Sequence, residues 1–151
     1  DGTTPLMLAA NNGHERMVDL LLRRGAEINL QRIDGFTALI SAARQDHERV
    51  VELLLQRGAE INLQSSSGDT ALIAAAFEGS PVVVLRLLQA GADAAARTNK
   101  GKTALHYAKE RGQAECVRAL EEHAAAEAEA AAAAREAERA EAEAEATRHA
   151  E

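Results

Sequence analysis

Three kinds of string in this 151-residue chain carry residue types that could do chemistry. Gly101-Lys102-Thr103 has the form of the end of a phosphate-binding loop, where backbone N–H groups cradle phosphates and the lysine reaches the outer ones. That loop needs a glycine five residues before Gly101, and Ala96 stands there. His14-Glu15 and His47-Glu48 begin like the helix of a zinc peptidase, which sets two imidazoles four residues apart on one face. Positions 18 and 51 are both valine, so the second ligand is missing. His123 and His149 are too far apart on any helix to share an ion. Cys116, the one thiol, would need a neighbouring histidine base and an electropositive setting to act as a nucleophile. No base, nucleophile and charge stabiliser converge, so no catalysis, metal or cofactor is expected.

What these strings share is their place in a repeat. Gly2, Gly35, Gly68 and Gly101 are spaced by 33 residues. Thr4, Thr37, Thr70 and Thr103 keep the same spacing, and so do Leu6, Leu39, Leu72 and Leu105. Within a unit the glycine supplies a tight turn, and the threonine caps the helix that follows. Pro5 suits the first helical position, where a missing N–H costs nothing. The spacing predicts a first helix over about 5–12 and a second over about 15–24, separated by Gly13. Met17, Val18, Leu20, Leu21 and Leu22 form the expected buried side of the second helix, and Gly25 ends it. Cys116 occupies the slot of Met17, Val50 and Val83, which makes it a small core residue. Arg86 breaks the pattern of Leu20, Leu53 and Ala119; it is expected to reach solvent along its own stem.

Thr4-Pro5-Leu6-Met7 and its three later copies, Gly13-His14, and the Leu-Leu-Leu-x-x-Gly-Ala-Glu-Ile-Asn run at 20–29 and 53–62 resemble the ankyrin repeat signature. The resemblance covers residues 1 to about 120. The motif histidine stands only at His106 and the proline only at Pro5. The fold it implies is an all-α solenoid of stacked helix-turn-helix units with β-hairpin fingers. Repeats at 1–31, 32–64, 65–97 and 98–123 would form one domain, its first repeat truncated, in a chain read as excised from a longer protein.

The function implied by the resemblance is non-catalytic binding of a protein partner on a concave face made by fingers and first helices. The alternative is a regulatory or targeting segment of a larger enzyme or signalling protein. Matching slots nominate Ile33, Asp34 and Phe36 in the second finger, Ser67 and Asp69 in the third, and Lys100 and Lys102 in the fourth. On the first helices they nominate Arg44, Gln45, Phe77, Glu78 and Arg111. Tyr107 joins them because the chain has only three aromatic residues, and all three fall in finger or first-helix slots. Phe36 and Phe77, in adjacent repeats, are expected to form one patch, since aromatics dominate many interfaces. Leu21 to Asn29 and Leu54 to Asn62 also resemble a pattern that an asparagine hydroxylase modifies in this family; bracing of the turns is the preferred role for both asparagines.

Composition narrows the partner. Residues 1–120 carry 14 acidic and 14 basic side chains, so the net charge of −7 belongs entirely to the remainder. Nucleic acid needs a basic face, and none is offered by the chain as a whole. No run approaches the ~18 uncharged apolar residues that span a bilayer, so no membrane insertion is expected. One cysteine fits a reducing interior, and an intracellular, cytoplasmic, monomeric protein is the expectation. Residues 124–151 hold 15 alanines, with Glu and Arg filling most of the rest and no Gly or Pro. Ala124 stands where Gly25, Gly58 and Gly91 end their helices, so the last helix has no stop signal. One continuous helix from about Ala114 to Arg148, roughly 50 Å long, is predicted as a rigid spacer. Glu136 with Arg139 and Glu145 with Arg148 are spaced to pair on it.

Overall fold

The 33-residue period becomes pairs of helices, each pair opened by a capped threonine. A computed structural model describes residues 1–150. Among them the helices are α1 (Pro5–Asn11), α2 (Glu15–Arg23), α3 (Ala38–Arg44), α4 (Glu48–Gln56), α5 (Ala71–Glu78), α6 (Pro81–Gln89), α7 (Ala104–Glu110) and α8 (Ala114–Ala150). The hydroxyls of Thr4, Thr37, Thr70 and Thr103 accept the N–H of Met7, Ile40, Ile73 and His106 at 3.1–3.3 Å. Each satisfies one of the donors a helix start leaves open. At the other end, Ala26 N–H reaches Leu21 O at 3.0 Å and Gly25 N–H reaches Leu22 O at 3.1 Å. This paired closure repeats at Gly58 and Gly91 and ends α4 and α6.

The first helices α1, α3, α5 and α7 pack in one row and α2, α4 and α6 in another. Small residues let the first row pack closely: Ala9, Ala10, Ala42, Ala43, Ala75, Ala76 and Ala108 are all buried. Leu54 and Leu87 fill the space behind them from the second row. Burying a side chain of that size contributes about 1.5–3 kcal/mol. No unit covers its own apolar side, so stability is a sum over neighbours. The first copy shows the rule by exception. Met17 is 47% and Leu20 37% exposed, against the buried side expected for both, because α2 has a second-row neighbour, α4, on one side alone among the described residues. Val50, Val83 and Cys116, in the slot of Met17, are buried. Burial also pushes the Cys116 thiol up, away from the reactive thiolate.

The fingers contain no β-strand among the described residues. Each is a turn closed by two backbone bonds; in the third, Ser65 N–H donates to Asp69 O at 2.9 Å and Gly68 N–H to Ser65 O at 2.9 Å. One bond then locks each finger to the one before it. Ile33, Ser66 and Asn99 N–H donate to Asp1, Asp34 and Ser67 O at 2.8–3.0 Å. With a single bond per finger pair there is no ladder, which is why the expected β-hairpins are reduced to turns. The close approach depends on glycine. A Cβ on Gly35 would lie 2.7 Å from Ser66 N, and one on Gly68 2.8 Å from Asn99 N, with φ of 81° and 86°.

Side chains reinforce the register. The Gln31 amide donates to Gly35 O and Gln64 O, each at 3.0 Å, and Gln64 repeats this toward Gly68 O and Arg97 O. Asn29 and Asn62 accept from Glu60 and Asp93 N–H at 2.8 and 2.9 Å, so both brace successive units. His47, at a helix start, reaches back to Asn11 O at 2.9 Å, and Gln113 does the same to Phe77 O at 3.2 Å. Arg86 is exposed and pairs with Glu52 at 2.7 Å, while Leu85 stays exposed, so α6 is not rotated.

The chain divides into two compact units, Asp1–Leu120 and a second that starts at Glu121. In the second, every side chain from Ala124 to Ala150 is exposed on helix. Arg139 pairs forward with Glu143 at 3.3 Å rather than back with Glu136, and His149, not Arg148, lies 3.9 Å from Glu145. The one-turn spacing i,i+4 is the one used.

Two glycine variants separate conformation from contact. Gly91 has φ of 93° and nothing within 4 Å of its Cβ position. Gly91→Ala is expected to cost about 1–2 kcal/mol, the left-handed penalty alone. Gly68→Ala should cost clearly more, because finger backbone lies inside contact distance. Urea midpoints of the two variants measure the difference; equal midpoints would mean the fingers are not in close approach.

Candidate functional site

A groove of about 450 Å³ opens between the last three fingers and the first helices. Phe36 from the second finger, Phe77 from α5 and Tyr107 from α7 all line it, so one residue from each of three repeats supplies an aromatic wall. The slot of Tyr107 holds Ala74 in α5, and this small residue leaves room in the groove it lines. Ile73 and Ala74 form apolar lining; Arg44, Asp69, Glu78, Ser67, Asn99 and Lys100 supply the polar part.

Each ring is half-buried and held by its own neighbours. The Arg32 and Arg44 guanidinium carbons lie 5.1 and 5.7 Å from the Phe36 centroid. Arg111 sits 4.2 Å over Phe77. Phe77 meets Tyr107 edge-on, centroids 5.7 Å apart at 70°, an attractive geometry for two quadrupoles. The Tyr107 hydroxyl is hydrogen-bonded to Thr98 Oγ1 at 2.9 Å, and Lys102 Nζ lies 5.7 Å over its ring. Such cation–ring contacts contribute about 0.5–1 kcal/mol at exposed positions.

The nominated residues divide by what they already hold. Phe36, Arg44, Ser67, Asp69, Phe77, Glu78, Lys100 and Tyr107 meet in the groove. Ile33 stands clear of it at 84% exposure, and Gln45 and Arg111 are exposed at the ends of their first helices. The Asp34 carboxylate is engaged inside its own finger: Arg32 Nη2 donates to it at 2.6 Å and Phe36 N–H at 3.1 Å. The Arg32 hydrogen bond holds the Asp34 carboxyl below its ordinary value. Lys102 donates to Glu110 at 2.6 Å, which raises the lysine and lowers the glutamate. His106 also reaches Glu110, at 3.1 Å. Lys102 and Asp34 thus brace the rings from the sides. Thr98, Asn99, Ile73 and Ala74 complete the lining. Asn99 shares its finger with the nominated Lys100 and Lys102, whereas nothing in a repeat pattern marks Thr98 as the hydroxyl that positions Tyr107.

Of the two carboxyls that line the groove, Glu78 is exposed and Asp69 is half-buried. Its carboxylate accepts no hydrogen bond among the described residues and is half-buried beside Arg44. Desolvation raises it above its ordinary 3.8, and the nearby Arg44 opposes this without cancelling it. A carboxyl raised on folding binds its proton more tightly in the native state. Its contribution is therefore favourable at low pH and is lost as pH rises through the folded value. Asp69→Asn should raise the urea midpoint at pH 7, and the gain should shrink as pH falls below about 4. A gain that grows with acidification would contradict the desolvation.

No group of three or more His, Cys, Asp or Glu among the described residues is placed to hold a metal ion, and no helix there is long and apolar enough to cross a membrane. Gly101-Lys102-Thr103 is spent on a turn, an ion pair and a helix cap. No curated protein matches the chain. A family model for ankyrin repeats in three copies matches residues 1–65 and again 57–132. Ankyrin repeats are in general protein–protein interaction modules without catalytic activity. The period, the four threonine-capped helix starts and this match over most of the chain agree: the protein belongs to the ankyrin repeat family.

Proposed function

We propose that this chain holds a protein partner on the face made by its fingers and first helices, with the groove between Phe36, Phe77 and Tyr107 as the centre of contact. The observation that carries the reading is convergence. A chain with three aromatic residues brings all three to one open groove, and none to the packed second-helix row. Half-buried rings in a pre-formed setting lose little freedom on binding and supply large contact area. Arg44, Glu78, Lys100 and Ser67 form the rim, where charge sets orientation more than affinity. Ile33, Gln45 and Arg111 extend the footprint, and Asp34 and Lys102 support it through the contacts they already make. No nucleic acid is needed as partner: the repeat unit is charge-balanced. The chain works as a monomer in this reading.

Phe77 and Lys100 are the residues to change. Phe36 and Tyr107 pack against the core, whereas Phe77 is not part of it. Phe77→Ala combined with Lys100→Ala should lower the urea-unfolding free energy by no more than about 2.5 kcal/mol, the scale of one ring pair and a cation contact together. The same variant should lose at least about tenfold in affinity for any partner captured by the native chain, measured by titration calorimetry. Full retention of affinity would place the contact elsewhere on the molecule.

A further inference from the structure

We infer that the groove takes a tyrosine or tryptophan side chain of the partner, seated against the three rings with its O–H or N–H donated to Asp69. This rests on the proposed partner-binding face and specifies what enters it.

Charge does not favour an ionic guest: Arg44 and Lys100 are balanced by Asp69 and Glu78. A basic guest would ordinarily gain from three ring faces. Here those rings already carry cations of the protein itself: Arg32 and Arg44 on Phe36, Arg111 on Phe77, and Lys102 on Tyr107. An acidic guest would bring a second carboxylate beside one that is already short of solvent. The guest is therefore neutral.

It also needs two properties. Ile73, Ala74 and the rings call for an apolar body. Asp69 calls for a donor, because its carboxylate is half-buried with no hydrogen bond from the described residues. The Asp69 oxygens still reach solvent; a guest that covers them removes that water, and an acceptor buried without a partner is costly, so the guest must bring the donor. Small amides and hydroxyls bring the donor without the body; aliphatic side chains and phenylalanine bring the body without the donor. Phenol and indole bring both. The volume of about 450 Å³ admits one such side chain, and it falls in the range of about 300–1,000 Å³ usual for small-ligand sites.

The test uses side-chain mimics on the whole chain, followed by amide chemical shifts. 3-Methylindole should produce saturable shifts at Asp69, Phe77, Asn99 and Tyr107. 1,3-Dimethylindole has the same body without the N–H, and should bind about tenfold more weakly, the lower end for a hydrogen bond to a charged acceptor. n-Butylammonium should bind more weakly than both. Asp69→Ala, with Asp69→Ser as a second form, should bring the two indoles to equal affinity. Equal affinities for the native chain, tighter binding of butylammonium, or no saturable shift with 3-methylindole would each overturn the assignment. If 3-methylindole fails while Phe77→Ala with Lys100→Ala still loses the partner, the face stands and this occupant falls.

Discussion

Contact between successive units is the condition on which everything else in residues 1–120 rests. A helix pair of about twenty residues cannot bury its apolar sides alone, so each copy must find the next in one register. Two devices fix that register. Alanine in the first row lets α1, α3, α5 and α7 approach closely. One backbone bond per finger, such as Ser66 N–H to Asp34 O, sets the height of each turn against the last. Gly35 and Gly68 allow that approach, and Gln31, Gln64, Asn29 and Asn62 repeat it in side chains.

The groove is a consequence of this register. Phe36, Phe77 and Tyr107 come from three different repeats and occupy three different slots. A shift of one unit against its neighbour would scatter them. Ala74 leaves room beside Tyr107, so the same repetition that packs the core opens a space at its edge. The rings are then stiffened by Arg32, Arg44, Arg111 and Lys102 and by the Thr98 hydroxyl. Asp69 is half-buried among them, and its desolvation is a local stability penalty that Arg44 offsets only in part.

Much of the fold was legible because repetition multiplies weak signals. Thr37 followed by Ala38 and Leu39 is a modest helix start by itself; four copies at one spacing leave no other reading. The missing glycine at Ala124 was enough to foresee that α8 runs on, and it does, to Ala150. What the residues did not reveal depends on distances between copies. Periodicity cannot show that Met17 lies uncovered, because the pattern is the same in every unit and the neighbour is not. It cannot distinguish a finger with one bond from a hairpin with a ladder. Slot matching gathered most of the groove but could not tell Lys100, which lines it, from Lys102, which is committed to Glu110. Nor could it single out Asp69, whose character comes from its burial in the stack and from Arg44 of the preceding unit.

The most direct check is the finger register itself, read by native-state hydrogen exchange at single residues. Locked fingers require the amides of Ser66 and Asn99 to be protected to nearly the same degree as buried helix amides such as Ala75, since opening them means separating neighbouring units. Exchange of Ser66 and Asn99 at free-peptide rates, with the helices still protected, would mean that the fingers are not locked to each other and that the aromatic groove is not a fixed feature.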